Sequence, residues 1–302
     1  MKFKTCCCVG ALMLVTHITN AQNKVAAELT AEYVPFSNYV RPEDSLKTGS
    51  TSDFKRMKLT VMIPFSFRKR EADEAARWFV VLDGAYAKMT NRDYEKPLFP
   101  TEMLNAQVGL KHIIPMKKNW SLYTMAGVGV YTDMTQIDRN DVLLQGGVIF
   151  VKQFNPRLAA GLGPVVSNAF GVPMVMPGLY FSWTTGTKFK VNVNLPEGAD
   201  IGYQFNPNLG LKAVLGLSGM TVEKEKDGKS ILLGYQQITA GLRPEVRLNK
   251  SWTVGLTAGT TLARSFKESE RSLKGIFSGM NKVDPRFTTT FYGAISLKLN
   301  MP

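Results

Sequence analysis

TKFKVNVNLPEGADIGYQFNPNLGLKAVLG, residues 187–216, carries the pattern that decides the fold. Phe189, Val191, Val193 and Leu195 fall on one parity, and Lys188, Lys190, Asn192 and Asn194 on the other. Successive side chains of a strand point to opposite faces, so this run is a strand with one apolar and one polar face. A short link at 196–197 leads to a second run over 198–205. Asn206-Pro207 then leads to a third run over 208–219. Proline holds its own φ near the value that a tight reversal needs, so Asn-Pro reads as a turn between adjacent strands.

The turn is written twice. Gln153-Phe154-Asn155-Pro156-Arg157-Leu158 repeats as Gln204-Phe205-Asn206-Pro207-Asn208-Leu209, with looser echoes at "MKKNW" (116–120) and "LNKSW" (248–252). Phe154 and Phe205 before the turns, and Trp120 and Trp252 after their counterparts, bracket polar reversals with aromatic side chains. The same alternation runs through "KLTVMIPFSF" (58–67), "LNAQVGLKHI" (104–113) and the last segment, 285–300. It yields strands near 24–36, 54–67, 77–89, 102–114, 119–131, 141–153, 157–168, 177–184, 187–195, 198–205, 208–219, 230–247, 251–263 and 285–300. That is fourteen, or twelve if the short runs between 177 and 205 merge. Helical spacing is nearly absent; "RKREADEAARW" (68–78) has room for one turn. The charge-free run 158–187 is interrupted by glycines and prolines, which argues for strands around a loop and against a membrane-spanning helix.

Short connections (115–118, 154–156, 185–186, 206–207, 249–250) alternate with long ones (37–53, 90–101, 132–140, 169–176, 220–229, 264–284). The links at 196–197 and 68–76 depart from that rule. Residues 1–21 form a separate unit. Lys2 and Lys4 precede an apolar "CCCVGALMLV", and Thr19 and Ala21 precede the expected cleavage, so the segment reads as a signal peptide. All three cysteines, Cys6, Cys7 and Cys8, sit in it, which removes disulfides and thiolate chemistry from the expected mature domain, 22–302. Without Lys2 and Lys4 the formal charge falls from +13 to +11; in an exported protein this balance reads first as lysines and arginines that solvate loops and anchor at an interface, next as affinity for acidic lipid headgroups or polyanionic surfaces, and not as nucleic-acid binding.

Signal peptide, alternation and loop asymmetry together resemble a Gram-negative outer-membrane β-barrel protein of the porin-like families with no assigned function. The resemblance implies an all-β, closed antiparallel transmembrane barrel whose short turns are periplasmic. Only a closed sheet leaves no unpaired edge in hydrocarbon. It also implies outer-membrane lipid, lipopolysaccharide and the barrel-assembly machinery as partners. Such barrels usually end on an aromatic residue, whereas this chain ends Leu299-Asn300-Met301-Pro302.

Chemistry is sparse. His112 is the one histidine beyond residue 21; it shares the parity of Leu104, Val108 and Leu110 and is expected at the lipid interface near the periplasmic edge. No cofactor, metal site or catalytic residue is expected, and the protein does not read as an enzyme. "DGKS" (227–230) lacks the leading glycine of a phosphate loop, and "GVGV" (127–130) reads as relief of crowding inside the barrel. The inward parity carries Arg56, Lys58, Lys111, Lys188, Lys190, Lys212, Tyr235, Arg243, Glu245 and Arg247, together with Glu28, Glu32, Asp83, Asp200 and Lys298. Nine bases against five acids predict either a conducting, mildly anion-preferring lumen or one filled with ion pairs. The functional expectation is a passive channel or small-solute transporter. A plugged surface-interaction barrel and a lipid-modifying enzyme are the alternatives.

Overall fold

The computed structural model describes residues 25–65, 77–95, 98–135, 137–168, 171–186, 188–226, 229–270 and 284–301. The expected signal peptide, the 68–76 connector and most of the 264–284 loop lie outside them.

Alternation becomes sixteen strands: β1 (Ala26–Val40), β2 (Lys47–Phe65), β3 (Arg77–Lys88), β4 (Asn91–Arg92), β5 (Glu102–Met116), β6 (Trp120–Thr132), β7 (Val142–Asn155), β8 (Leu158–Ser167), β9 (Met174–Thr185), β10 (Phe189–Leu195), β11 (Gly198–Asn206), β12 (Leu209–Lys226), β13 (Lys229–Arg247), β14 (Trp252–Glu270), β15 (Arg286–Phe287) and β16 (Phe291–Asn300). β4 and β15 are two-residue ribbons, and the other fourteen build the wall. Each pairs antiparallel with the next, and β1 pairs with both β2 and β16, so the sheet closes as a fourteen-stranded barrel. Closure satisfies the backbone, and alternation then sorts the side chains. Leu59, Leu82, Leu110, Leu144, Leu162, Ile201, Leu242, Leu256 and Ile295 stand exposed on the outside, while Val34, Phe54, Met103 and Phe266 are buried within.

The short-turn end explains the repeated phrase. In the first copy the Asn155 Oδ1 accepts from the Arg157 N–H at 2.9 Å, and the Gln153 amide donates to the carbonyls of Asn155 and Leu158. The second copy repeats this, with Asn206 Oδ1 accepting from Asn208 (2.9 Å) and Leu209 (3.0 Å) and with Gln204 bridging Asn206 and Leu209. Asn249 does the same for Ser251 and Trp252. The asparagine side chain supplies the acceptor that the reversing backbone lacks, so Asn contributes as much as Pro to the motif. All four tryptophans, Trp78, Trp120, Trp183 and Trp252, lie in the strand termini at this end, with Phe154 and Phe205 exposed beside the turns. Aromatic rings at one level of a barrel form an interfacial girdle.

Three strands outrun their expected limits at the other end. β2 begins at Lys47 instead of 54, β12 runs to Lys226 instead of 219, and β14 to Glu270 instead of 263. The extra stretches of β12 and β14 turn bulky side chains inward. Met220, Val222, Arg264 and Phe266 are thus interior residues, not loop residues. The β10–β11 hairpin, by contrast, is short.

The upper half of the β12–β13 hairpin folds into the barrel. Above Leu217, whose N–H donates to the Glu197 carbonyl, β12 has no ladder partner on its β11 side and packs against β5 and β6 instead. The Asn105 amide on β5 caps that free edge, its nitrogen 2.7 Å from the Thr221 carbonyl and its oxygen 3.1 Å from the Thr221 N–H. Leu232, on the face of β13 that points outward lower down, is 3% exposed against Tyr131, Leu143, Val172 and Met174. Gly171, at φ +77°, lies so close to Gly234 that a Cβ on Gly234 would stand 2.2 Å from the Gly171 backbone. Two glycines are required where the two backbones meet.

Candidate functional site

Among the described residues the interior is sealed at the long-loop end and open at the short-turn end. Inward side chains along β13 show the gradient: Tyr235 is 0% exposed, Gln237 1%, Thr239 7%, and Arg247 is exposed. Tyr39, Phe99, Phe266 and Phe287 close the top, with Phe99 stacked on Phe266 at 4.4 Å and Tyr39 edge-on to Phe99 at 5.7 Å.

Below them lies Arg264, 2% exposed. It donates to the Tyr235 hydroxyl (2.9 Å), the Ser37 hydroxyl (2.9 Å) and the carbonyls of Ser52 (2.9 Å) and Asp53 (2.8 Å), and its guanidinium stands 4.4 Å from the Phe287 ring. Five donors in a planar fork tie β1, β2, β13 and β14 together. Tyr235 passes the network on to Gln237 (2.8 Å). Gln237 and Tyr292 both donate to Glu32, at 3.3 and 2.9 Å, and Glu32 is ion-paired with Arg56. Both charges of that pair are buried, and the added donors satisfy the remaining lone pairs of the carboxylate. Arg56 and Tyr235, expected to line the lumen, therefore belong to the seal, because burial and bonding take them out of water.

The other inward residues form a vestibule under the seal. Lys212 bridges Asp200 (3.6 Å) and Glu245 (2.9 Å), and Lys298 bridges Glu245 (3.7 Å) and Glu28 (3.5 Å). Lys58 pairs with Asp83 at 3.3 Å. Arg243 donates to the Thr257 hydroxyl at 2.8 Å. All five expected inner acids are thus taken by Arg56, Lys58, Lys212 and Lys298. Among the described residues Lys111, Lys190, Arg243 and Arg247 lack a carboxylate partner; Lys111 stands 5.7 Å from the Tyr123 ring. Lys188 departs from expectation. Its ammonium lies 5.8 Å from the outward Tyr203 ring, in the girdle with Phe189 and Phe205 instead of the lumen, because it sits at the turn and its long side chain can reach around the rim.

The vestibule has two chemistries. On β6–β9 the inward residues include Met125, Ile149, Val151, Val165, Met174, Met176 and Tyr180 with Gly127, Gly129, Gly147, Gly161, Gly163 and Gly178 between them. A Cβ on Gly129 would meet the Ala106 carbonyl oxygen at 2.7 Å, and one on Gly163 the Val148 carbonyl oxygen at 1.8 Å, so glycine permits the sharp bend of this wall. The charged residues lie on the other strands, with Lys111 on β5 and Lys190 on β10 flanking this wall.

Outside the barrel, His112 stacks on Trp78 with ring centroids 3.7 Å apart and has no serine or carboxylate partner among its contacts. No cluster of three metal-ligating side chains exists among the described residues.

No curated protein matches the chain. Among solved structures, the COG4313 outer membrane channel from Pseudomonas putida F1 is similar at 10% identity and a TM-score of 0.50, over 93% of this chain and 97% of that one. The TodX monoaromatic hydrocarbon channel in its deltaS2S3 mutant form (8% identity, TM-score 0.40, 93% and 91% coverage) and OccK7 (OpdD) of Pseudomonas aeruginosa (10%, 0.33, 93% and 99%) also match. Identities this low establish the fold alone, and it is the fold of Gram-negative outer-membrane β-barrels. The family described as Domain of unknown function (DUF6268) matches residues 17–300, nearly the whole wall, and the chain belongs to that family.

Proposed function

We propose that the protein is a passive outer-membrane channel for small anionic solutes, entered on the periplasmic side through the vestibule. One observation carries the reading. The inner carboxylates are matched by four bases, while Lys111, Lys190, Arg243 and Arg247 have no carboxylate partner among the described residues and stand in a water-accessible chamber. Rings of unpaired cationic side chains select anions. No covalent step is assigned, since the one histidine of the described residues faces outward against a tryptophan.

The test is conductance of the purified protein in a planar bilayer under a salt gradient. A reversal potential on the anion side is expected, and it should move toward zero in a Lys111→Gln, Lys190→Gln, Arg243→Gln variant. A cation-side potential overturns the charge assignment. The seal favours a second reading, a plugged barrel that works through its loops; well-folded protein that carries neither ions nor small solutes would establish that reading instead.

A further inference from the structure

A chamber open at one end and sealed at the other is no channel unless solute leaves by another path. The wall itself has a gap. β10 and β11 stop at Leu195 and Gly198, where the ladders end at Leu179↔Leu195 and Gly198↔Gly216. Above them Met174–Gly178 of β9 has no ladder partner on its β10 side, and Ser218–Met220 of β12 has none on its β11 side, among the described residues. The gap is bounded below by the Leu195-Pro196-Glu197 hairpin tip and above by the Gly171–Gly234 contact and the Asn105 cap on Thr221. From Leu217 to Thr221 this leaves roughly 13 Å of strand edge without a ladder partner in the wall, at about 3.3 Å per residue. Pro177 sits in the bare stretch of β9, as prolines do on unpaired edges.

Unpaired backbone at membrane depth is tolerated only where it borders water or protein. We propose that this gap is a lateral portal, and that solute passes between the vestibule and the outside through the wall between β9 and β12. The inference rests on the channel reading and names its substrate class. The β9 side of the route carries Met174, Val175, Met176 and Pro177, and Val175 is 43% exposed outward. The approach passes the apolar β6–β9 wall on one side and the uncompensated bases on the other. A small monoanion with an apolar body satisfies both; a sugar or a hydrophilic anion satisfies only the second.

The experiment uses protein with Cys6, Cys7 and Cys8 changed to Ser, reconstituted into vesicles loaded with 2-naphthalenesulfonate, which stays anionic throughout. Val175→Cys with Ser218→Cys, and independently Met176→Cys with Leu217→Cys, are joined by a bifunctional maleimide; folding is checked by heat-dependent gel mobility. Release is expected to fall to the level of protein-free vesicles on bridging, and to persist when each single variant carries a monofunctional maleimide. Tyr39→Cys joined to Phe99→Cys, across the top of the barrel, is expected to leave release unchanged. Release that survives the β9–β12 bridges in either folded pair overturns the portal while leaving the channel reading intact. No release from the unmodified protein overturns the channel reading and the portal with it.

Discussion

Arg264→Met tests the seal most directly. Methionine keeps most of the length and removes every donor. The Ser37 hydroxyl oxygen loses a donor, and the Tyr235 hydroxyl keeps its bond to Gln237 at 2.8 Å. The carbonyls of Ser52 and Asp53 lose the donors that reached them at 2.9 and 2.8 Å, in a site that is 2% exposed or less. Removing a donor from each of two buried carbonyls costs up to about 1–3 kcal/mol each. Loss of the guanidinium from the Phe287 face adds roughly 0.5–2 kcal/mol. The expected destabilisation is about 2.5–8 kcal/mol, large for a single substitution. The assay is reversible urea unfolding of refolded protein in detergent micelles, followed by tryptophan fluorescence. All four tryptophans lie at the opposite end of the barrel, so the signal reports global unfolding and not repacking around position 264. Arg264→Lys should fall between the two, because a single ammonium cannot serve three strands as a planar fork does. A loss for Arg264→Met under about 1 kcal/mol would refute the view that this side chain holds the seal.

Other substitutions probe other parts of the argument. Asn206→Ala removes two bonds and Asn155→Ala one, so the former should cost more, about 1–2 kcal/mol against about 1 by the same unfolding assay; equal losses would remove the asparagine acceptor as the explanation of the repeated turn. Gly234→Ala drives a methyl into the Gly171 backbone and should cost about 1–3 kcal/mol, with faster proteolysis near 171–173; an unchanged digestion pattern counts against the close approach. Asp141 caps the turn that packs on β12, and burial raises its carboxyl above the ordinary range. A raised carboxyl binds protons more tightly in the folded state, so its contribution is full below the unfolded value of 3.8 and is lost as pH rises through the folded one. Asp141→Asn should therefore flatten the difference in melting temperature between about pH 4 and about pH 7, and an unchanged difference would show that the burial is not felt.

How much of this was legible from the letters differs by feature. Strand number, closure and the turn end follow from side-chain period and from Asn, Pro and aromatic placement, all properties of a few neighbouring residues. The sequence by itself therefore determined a fourteen-stranded wall, and it placed Glu28, Lys58, Lys111, Lys212 and Lys298 inside. Arg264 escaped because "RSFKESE" reads as a charged loop, and because the register shift between β13 and β14 beyond Thr261 moves the inward face from odd positions (Thr257, Thr261) to even ones (Arg264, Phe266). Lys188 was misplaced because parity gives the direction of a Cβ and not the reach of four methylenes around a turn. Only the tertiary structure decided that the lumen is sealed and that the ladder of the wall is interrupted beside β12. Both depend on which distant segments meet: Gly171 on Gly234, Asn105 on Thr221, Arg264 on Ser52. Inside a closed barrel, inward residues from strands far apart in sequence share one cross-section, and whether they leave room for water is settled by their packing, which no local period encodes.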